Sequence, residues 1–316
     1  MNSFTHSIYY TPMETLNQIN IHFSEGNVIV LNICLGILMF GVALDMKLTD
    51  FKYVLEAPKS LITGMVSQLI LLPVLTVGLV WIIRPEYSLA LGMALIAACP
   101  GGNVSNYAVH LAKATTALSI MMTTISTLAC VVTTPIVFSL IKAILPEGSV
   151  VIQSFDISFY SMAIVIFQLI VIPLIIGFAL NHYFPEWVQK IKSYIQKLSF
   201  IIFVGFIIVA VLNNLDNLFN YIHIVFFLVI LHNSLALFTG YWWSKGIVGL
   251  SVRDSRAISI ETGIQNSGLA LILIFNFFYG NGGMALLAAW WSIWHLISAG
   301  SVALWWRRSE NKVKLI

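Results

Sequence analysis

Charge is what this sequence lacks. Only 9% of its 316 residues are Asp, Glu, Lys or Arg, against about 25% in soluble globular domains. So few charges cannot cover the surface of a soluble protein of this length. Hydrophobic residues make up 59% of the chain without counting glycine, and mean hydropathy is +0.91. The composition is that of an integral membrane protein with several helices. A net charge of only +3 gives no support to a nucleic-acid partner. Cysteine is scarce too. Cys34, Cys99 and Cys130 lie in apolar runs without CxxC spacing, which argues against a disulfide scaffold and a zinc site. No HExxH or GxSxG motif is present. The alternating ten-residue segments of a membrane barrel are missing as well, replaced by solid apolar runs.

Those runs mark the membrane spans. Lys59 to Arg84 encloses 24 uncharged residues, Glu86 to Lys113 encloses 26, and Lys113 to Lys142 encloses 28. A helix needs ~20 residues to cross the hydrocarbon core, so each run holds one span. The chain then predicts nine crossings, near residues 27–45, 60–83, 88–112, 115–141, 157–181, 198–215, 221–244, 257–279 and 283–306. The turn Tyr279-Gly280-Asn281-Gly282-Gly283 separates the last two. Residues 1–26 carry no Lys or Arg and no long apolar core, and read as a surface-lying segment. Residues 307–316 read as a tail.

Nine crossings sort the basic residues. One side receives Lys47, Lys52, Lys59, Lys113, Lys190, Lys192, Lys197, Lys245, Arg253, Arg256, Arg307, Arg308, Lys312 and Lys314, and the other only Arg84 and Lys142: 14 against 2, which accounts for all 16. By the positive-inside rule the N-terminus is outside and the C-terminus cytoplasmic. Tryptophans near span ends (Trp81, Trp187, Trp242, Trp243, Trp305, Trp306) read as interface anchors.

Two spans break the rules. Glu261 lies within Ile258-Ser259-Ile260-Glu261-Thr262-Gly263-Ile264-Gln265-Asn266-Ser267-Gly268-Leu269, and an intramembrane carboxylate is by default a functional residue. The bland alternative is a Glu at the cytoplasmic end, paired with Arg253 or Arg256. Gly263, Gln265, Asn266, Ser267 and Gly268 interrupt the helix just beyond it. The earlier stretch Cys99-Pro100-Gly101-Gly102-Asn103-Val104-Ser105-Asn106 has the same character. There Pro100 removes a donor, the glycines permit unwound backbone, and Asn103 is placed to cap the half-helix that follows. In lipid, unwound backbone survives only where it lines a cavity or is buried in protein. Paired interruptions in corresponding positions of two halves point to a transporter site. The breaks fall in the third crossing and in the eighth, each with one crossing to follow. The halves at 27–141 and 157–306 hold four and five spans, an inverted repeat whose first half lacks one helix. Half-helices restarting at Asn103 and Asn266 would aim positive ends at one cavity, which suits an anion.

Ala98-Cys99-Pro100-Gly101-Gly102-Asn103-Val104-Ser105-Asn106 and Glu261-Thr262-Gly263-Ile264-Gln265-Asn266-Ser267-Gly268-Leu269-Ala270 resemble the two crossover segments of the bile acid:sodium symporter family, in the form of its bacterial branch. Met39-Phe40-Gly41, Leu231-His232-Asn233 and Trp294-His295 support the match, which runs from about residue 27 to 306. Leu296 stands where close bacterial relatives carry Asn, and residues 1–26 do not supply those relatives' extra first helix. The resemblance implies an all-α polytopic protein of the inner (plasma) membrane, with two discontinuous helices that cross. It implies two sodium sites and no other cofactor. The first would use Ser105, Asn106, Ser119, Thr123 and Glu261. The second would use Glu261, Gln265 and Gln68 with the carbonyls of Thr262 and Ile264. A carboxylate substrate such as pantoate, a 2-oxo acid or a bile-acid-like compound would meet Asn103, Asn266, Ser267 and His295.

Read from the residues alone, Ser119 and Thr123 share a helix face at i, i+4 spacing, although Ser, Thr or Gln in a span is often occupied with packing or back-bonding. His232 and His295 each sit in an apolar span and read as packing residues or as substrate contacts, packing being the favoured reading. The function expected is sodium-coupled symport of a small organic anion by alternating access, with sodium, the anion and membrane lipid as partners. The alternative is a proton-coupled organic anion transporter or exporter in which Glu261 carries the proton. An intramembrane enzyme would need a second carboxylate or a nucleophile–base pair beside Glu261, and an anion sensor would bind without moving its ligand. Nothing in the sequence speaks to oligomeric state.

Overall fold

The computed structural model describes residues 25–44, 58–146, 158–212 and 215–313. Most of the expected N-terminal surface segment, residues 1–24, and the end of the tail, residues 314–316, lie outside the described residues. Helices occupy all nine apolar stretches. They are α1 (Glu25–Ala43), α2 (Pro58–Ile83), α3 (Tyr87–Ala98), α4 (Val104–Leu111), α5 (Thr116–Ile144), α6 (Phe159–Tyr183), α7 (Pro185–Leu212), α8 (Leu215–Trp242), α9 (Val252–Gly263), α10 (Ser267–Phe277) and α11 (Gly282–Val313). By length and composition α2, α5, α6, α8 and α11 are long and apolar enough to cross a membrane.

Three boundaries depart from expectation, for one reason. Charge marks where lipid ends, whereas a helix ends where its hydrogen bonding stops. Helix α7 begins at Pro185, well before residue 198, and carries Lys190, Lys192 and Lys197. Proline suits a first helical position because its missing N–H would be unpaired there in any case. Helix α9 begins at Val252 rather than 257, because Ser251 caps it by accepting the N–H of Asp254 at 3.0 Å. Helix α11 runs on to Val313, so most of the expected tail is helical.

Helices α2 and α6 each widen into a π turn, at Ser67–Leu71 and Phe167–Val171. Each lies just ahead of a proline, Pro73 and Pro173. A proline inside a helix removes one i→i−4 bond and collides with the carbonyl a turn earlier. In the widened turns Leu72 N bonds Ser67 O and Ile172 N bonds Phe167 O, which relieves both problems.

Three of the four half-helices, α3, α9 and α10, are inside, whereas α4 exposes Val104 and Tyr107 and the long helices lie toward the outside. Every residue of α3 from Ser88 to Ala98 is buried, as are Ser255 to Gly263 of α9 and Ser267 to Phe275 of α10. Ile62, Ile70, Val74 and Ile82 of α2 and Phe227 and Phe238 of α8 instead expose large apolar side chains. Backbone that leaves the helical pattern is thereby kept from lipid. Helix α3 packs closely against α5 and α11 because its small residues admit a neighbour's backbone; a Cβ on Gly92 would lie 3.1 Å from Met284 Cα. Helix α1 packs with α6 and α7, and it meets the inner helices through α10.

The expected anchors divide. Trp81, Trp187, Trp242 and Trp305 are exposed, but Trp306 is buried, stacked on Tyr241 at 5.7 Å with Arg256 5.6 Å over its ring. Near a span end, a partner on another helix can claim an aromatic ring that would otherwise face headgroups.

Candidate ion and anion site at the helix crossing

The two interruptions meet. After Ala98 the chain is extended through Cys99–Gly102, and after Gly263 it is extended at Ile264. Gly101 and Gln265 form an antiparallel bridge, with Gly102 N donating to Ile264 O at 3.1 Å and Asn266 N donating to Pro100 O at 2.8 Å. Each unwound strand thus supplies the backbone partner that the other lost, which is what lets the break survive at this depth. The helix ends on either side are also capped, by residues of neighbouring helices. Thr134 Oγ1 donates to Ala98 O at 2.8 Å, and Asn233 Nδ2 donates to Gly263 O at 2.7 Å. Gly102 is required here, since a Cβ would stand 3.0 Å from Gln265 O and 3.1 Å from Ile264 Cγ2.

Glu261 occupies the last turn of α9, fully buried. It does not pair with Arg253 or Arg256. Arg253 Nε instead donates to Lys113 O at 3.2 Å, and Arg256 lies against Trp306. The carboxylate is surrounded by hydroxyls from two other elements. Ser105 Oγ of α4 is 2.5 Å from Oε1, Ser119 Oγ of α5 touches the same atom, and Thr123 Oγ1 is 3.1 and 3.0 Å from Oε1 and Oε2. Asn106 Oδ1 lies 2.7 Å from Ser119 Oγ. All five residues expected at the first sodium site therefore converge on one point. The three hydroxyls bring only three protons. Ser119 Oγ nevertheless faces two acceptors, and Thr123 Oγ1 faces both carboxylate oxygens. A buried cluster with more oxygen–oxygen contacts than hydroxyl protons to fill them is suited to a hard cation.

The residues expected at the second site also gather. Gln68 Nε2 reaches Gln265 Oε1 at 3.5 Å, and Gln265 Nε2 donates to Thr262 O at 3.0 Å. Gln68 Oε1 is buried without a hydrogen-bond partner among the described residues, so this acceptor is left for an occupant. Gln68 lies in the π turn of α2, and such turns occur frequently at functional sites. The Ile264 carbonyl already accepts Gly102 N–H in the bridge, which leaves its second lone pair for a cation.

At the anion end the two asparagines differ. Asn266 Oδ1 accepts Leu269 N–H at 3.0 Å and caps α10. Asn103 makes no side-chain cap, contrary to expectation, and α4 starts instead with Ser105 N bonded to Gly102 O at 2.9 Å. The flanking glycine carbonyl is close enough to take that N–H, so the amide of Asn103 is not needed. Ser267 Oγ lies 2.8 Å from Ser292 Oγ of α11. His295, one turn further along α11, is buried with Nδ1 unpartnered among the described residues. His232 is packed as expected, its Nε2 2.8 Å from Thr76 Oγ1 and its ring edge-on to Trp291 at 5.0 Å.

Sequence reasoning missed Ser126, Ser67, Asn233 and Ser292. Ser126 Oγ accepts Gly101 N–H at 3.2 Å, and Ser67 Oγ is 2.8 Å from Thr262 Oγ1. Ser126 had a findable signal, because it continues the face of Ser119 and Thr123 at i+7 and i+3. Asn233 stood in the matching segment Leu231-His232-Asn233 and Ser67 beside Gln68, but neither position said which carbonyl or hydroxyl it would meet, and Ser292 is a lone serine in an apolar span.

Comparison with known proteins gives a consistent picture. The profile of the Sodium Bile acid symporter family matches residues 32–221, which include the first break. An uncharacterized sodium-dependent transporter of Bacillus subtilis, YocS, is 33% identical over 89% of this chain and 84% of its own length. A probable chloroplastic sodium/metabolite cotransporter of Arabidopsis thaliana, BASS1, is 32% identical over 88% of the chain, and the rice protein BASS2, of similar description, is 28% identical over 86%. The chain spans 67% of the Arabidopsis protein and 62% of the rice protein.

Proposed function

Because the chain belongs to the sodium bile acid symporter family, a family of transporters and not of enzymes, we propose that it is a secondary active transporter that moves a small organic anion together with sodium. The observation that carries this reading is the Glu261 cluster, a buried carboxylate among Ser105, Ser119, Thr123 and Asn106 in which five short oxygen–oxygen contacts share three hydroxyl protons. A sodium ion entering it would turn the hydroxyl protons outward and take the oxygens as ligands. A second ion would use Gln68, Gln265 and the Thr262 carbonyl beside the same carboxylate.

The anion sits across the crossing from these ions, against the N-terminal ends of α4 and α10. Each such end carries up to ~0.5 of a positive charge. Asn103, Asn266, Ser267 and His295 supply its polar contacts. Sodium next to Glu261 cancels the charge that would otherwise repel the substrate, so each ligand raises the affinity of the other by the same factor. Helices in all nine apolar stretches support nine crossings, with the N-terminus outside the inner membrane and the C-terminus inside. The breaks in the third and eighth stretches support an inverted repeat that rocks in alternating access.

The test is uptake of a panel of radiolabelled carboxylates by proteoliposomes, with sodium replaced by choline at fixed pH. Uptake that requires sodium is expected. If two sodium ions accompany a monoanion, one net charge moves, and an inside-negative potential adds about 2.3 kcal/mol per 100 mV to accumulation. Uptake indifferent to sodium but driven by a pH gradient would replace the reading with proton coupling through Glu261.

A further inference from the structure

We infer that Ser126 is a positioning residue that transmits occupancy of the ion site to the backbone of the helix crossing. The inference rests on the reading that the Glu261 cluster binds sodium.

Backbone donors in the first unwound strand are few. Pro100 has none, Gly102 N–H is spent on Ile264 O, and Gly101 N–H has Ser126 Oγ as its partner at 3.2 Å. Ser126 is fully buried, so water cannot substitute for that bond. Its own proton goes to Thr123 O at 3.2 Å. The residue whose carbonyl Ser126 holds is therefore the one whose hydroxyl lies between the two oxygens of Glu261.

Gly101 is at the centre of the site. A Cβ built on it would be 2.9 Å from Gln68 Nε2, 2.9 Å from Glu261 Oε2 and 3.6 Å from Ser126 Oγ. Gly101, which is bridged to Gln265, donates to Ser126, Ser126 donates to the Thr123 carbonyl, and Thr123 donates to Glu261. Asn266 and the start of α10 follow directly. When sodium draws Thr123 and Ser119 toward itself, α5 shifts at these residues, and Ser126 is the only side chain of α5 bonded to the unwound strand among the described residues. Back-bonding to Thr123 O alone would give Ser126 a local helical role of the ordinary kind. The bond from Gly101 makes it a connector.

The experiment measures hydrogen–deuterium exchange of residues 99–103 in the full-length protein in nanodiscs, in sodium chloride and in choline chloride, alongside thermal stability. In wild type, sodium should slow exchange in this segment by about tenfold, the factor that firming one hydrogen bond of ordinary strength confers. Ser126→Ala should keep its sodium-dependent thermal shift, while the sodium response of residues 99–103 falls below about twofold. Ser126→Thr, which keeps the hydroxyl, should restore the response. If Ser126→Ala does not fold, Ser126→Cys, similar in shape but a weak acceptor, is read in the same way. A wild-type response in Ser126→Ala or Ser126→Cys, or a wild type whose thermal shift comes with no change at 99–103, overturns the inference and leaves sodium binding intact. Absence of any sodium-dependent thermal shift in wild type overturns the underlying reading instead.

Discussion

The hydroxyl of Ser105 reaches the Glu261 carboxylate at 2.5 Å, joining the first turn of one half-helix to the last turn of another across 156 positions of chain. The contact makes the two breaks one object. Glu261 cannot change its ligands without disturbing α4, and α4 starts from the strand that is bridged to Gln265. An ion bound to the carboxylate would thereby be felt at both half-helix ends proposed to face the anion.

Glu261→Gln tests the ion site. The amide keeps the shape and removes the carboxylate. In sodium-free buffer the variant should be at least as stable as wild type, because a buried charge without a cation partner is costly. Its sodium-dependent thermal shift should vanish, and sodium-driven uptake should fall by about 100-fold or more, the equivalent of roughly 3 kcal/mol for removing one partner of a buried ion pair. A sodium shift equal to wild type would place the ion elsewhere.

Substitution of the two glycines separates sodium binding from assembly. Gly102→Ala pushes a methyl group onto the backbone of Gln265, at 3.0 Å from its carbonyl oxygen. It should lower stability by about 1–3 kcal/mol, as overpacking does, and reduce uptake with it. Gly101→Ala pushes between Gln68 and Glu261, whose ends are side chains and can yield. Sodium affinity should suffer more than melting temperature, as read by titration in a thermal-shift assay.

Asn266 offers a test of the anion end. Asn266→Ala removes the cap that holds Leu269 N–H and should cost about 1 kcal/mol of stability. Asn266→Asp keeps a capping oxygen and adds a negative charge at the proposed anion site. It should retain wild-type stability and sodium binding and lose anion binding. Calorimetry with the carboxylate preferred in the uptake panel decides between them. Intact anion affinity in Asn266→Asp would move the substrate away from α10.

Orientation is open to labelling. A cysteine introduced near Asn2 or Glu147 should react with an impermeant thiol reagent on intact cells. One near Lys192 or Lys312 should react only after permeabilisation. The native Cys34, Cys99 and Cys130 are buried and should stay silent. Labelling of all four positions from outside would refute nine crossings with an external N-terminus.

Helical, apolar character, the places of the apolar stretches and the two of them that break are all legible in the linear order of residues. Those features are written in one dimension, as missing charge, as Pro100-Gly101-Gly102, and as a glutamate with Gly263 and Asn266 close behind it. The sequence also marked, by resemblance, the oxygen-bearing residues that gather around Glu261. It could not determine which faces meet. In lipid both the outside and the inside of a helix are apolar, so periodicity does not tell a lipid-facing side from a buried one. Burial of Trp291 and exposure of Phe227 follow from packing alone. For the same reason Ser126 is just a serine in an apolar span until α3 and α5 pack and its oxygen meets Gly101 N–H. The capping of α4 was misjudged because Asn103 is a good cap by type, and only the folded strand showed that the Gly102 carbonyl already held the nearest N–H. Composition and local chemistry fixed what had to be buried and where helices had to fail. Tertiary structure decided which failures would satisfy each other, because a broken backbone in a membrane is stable only where a second one supplies its hydrogen bonds.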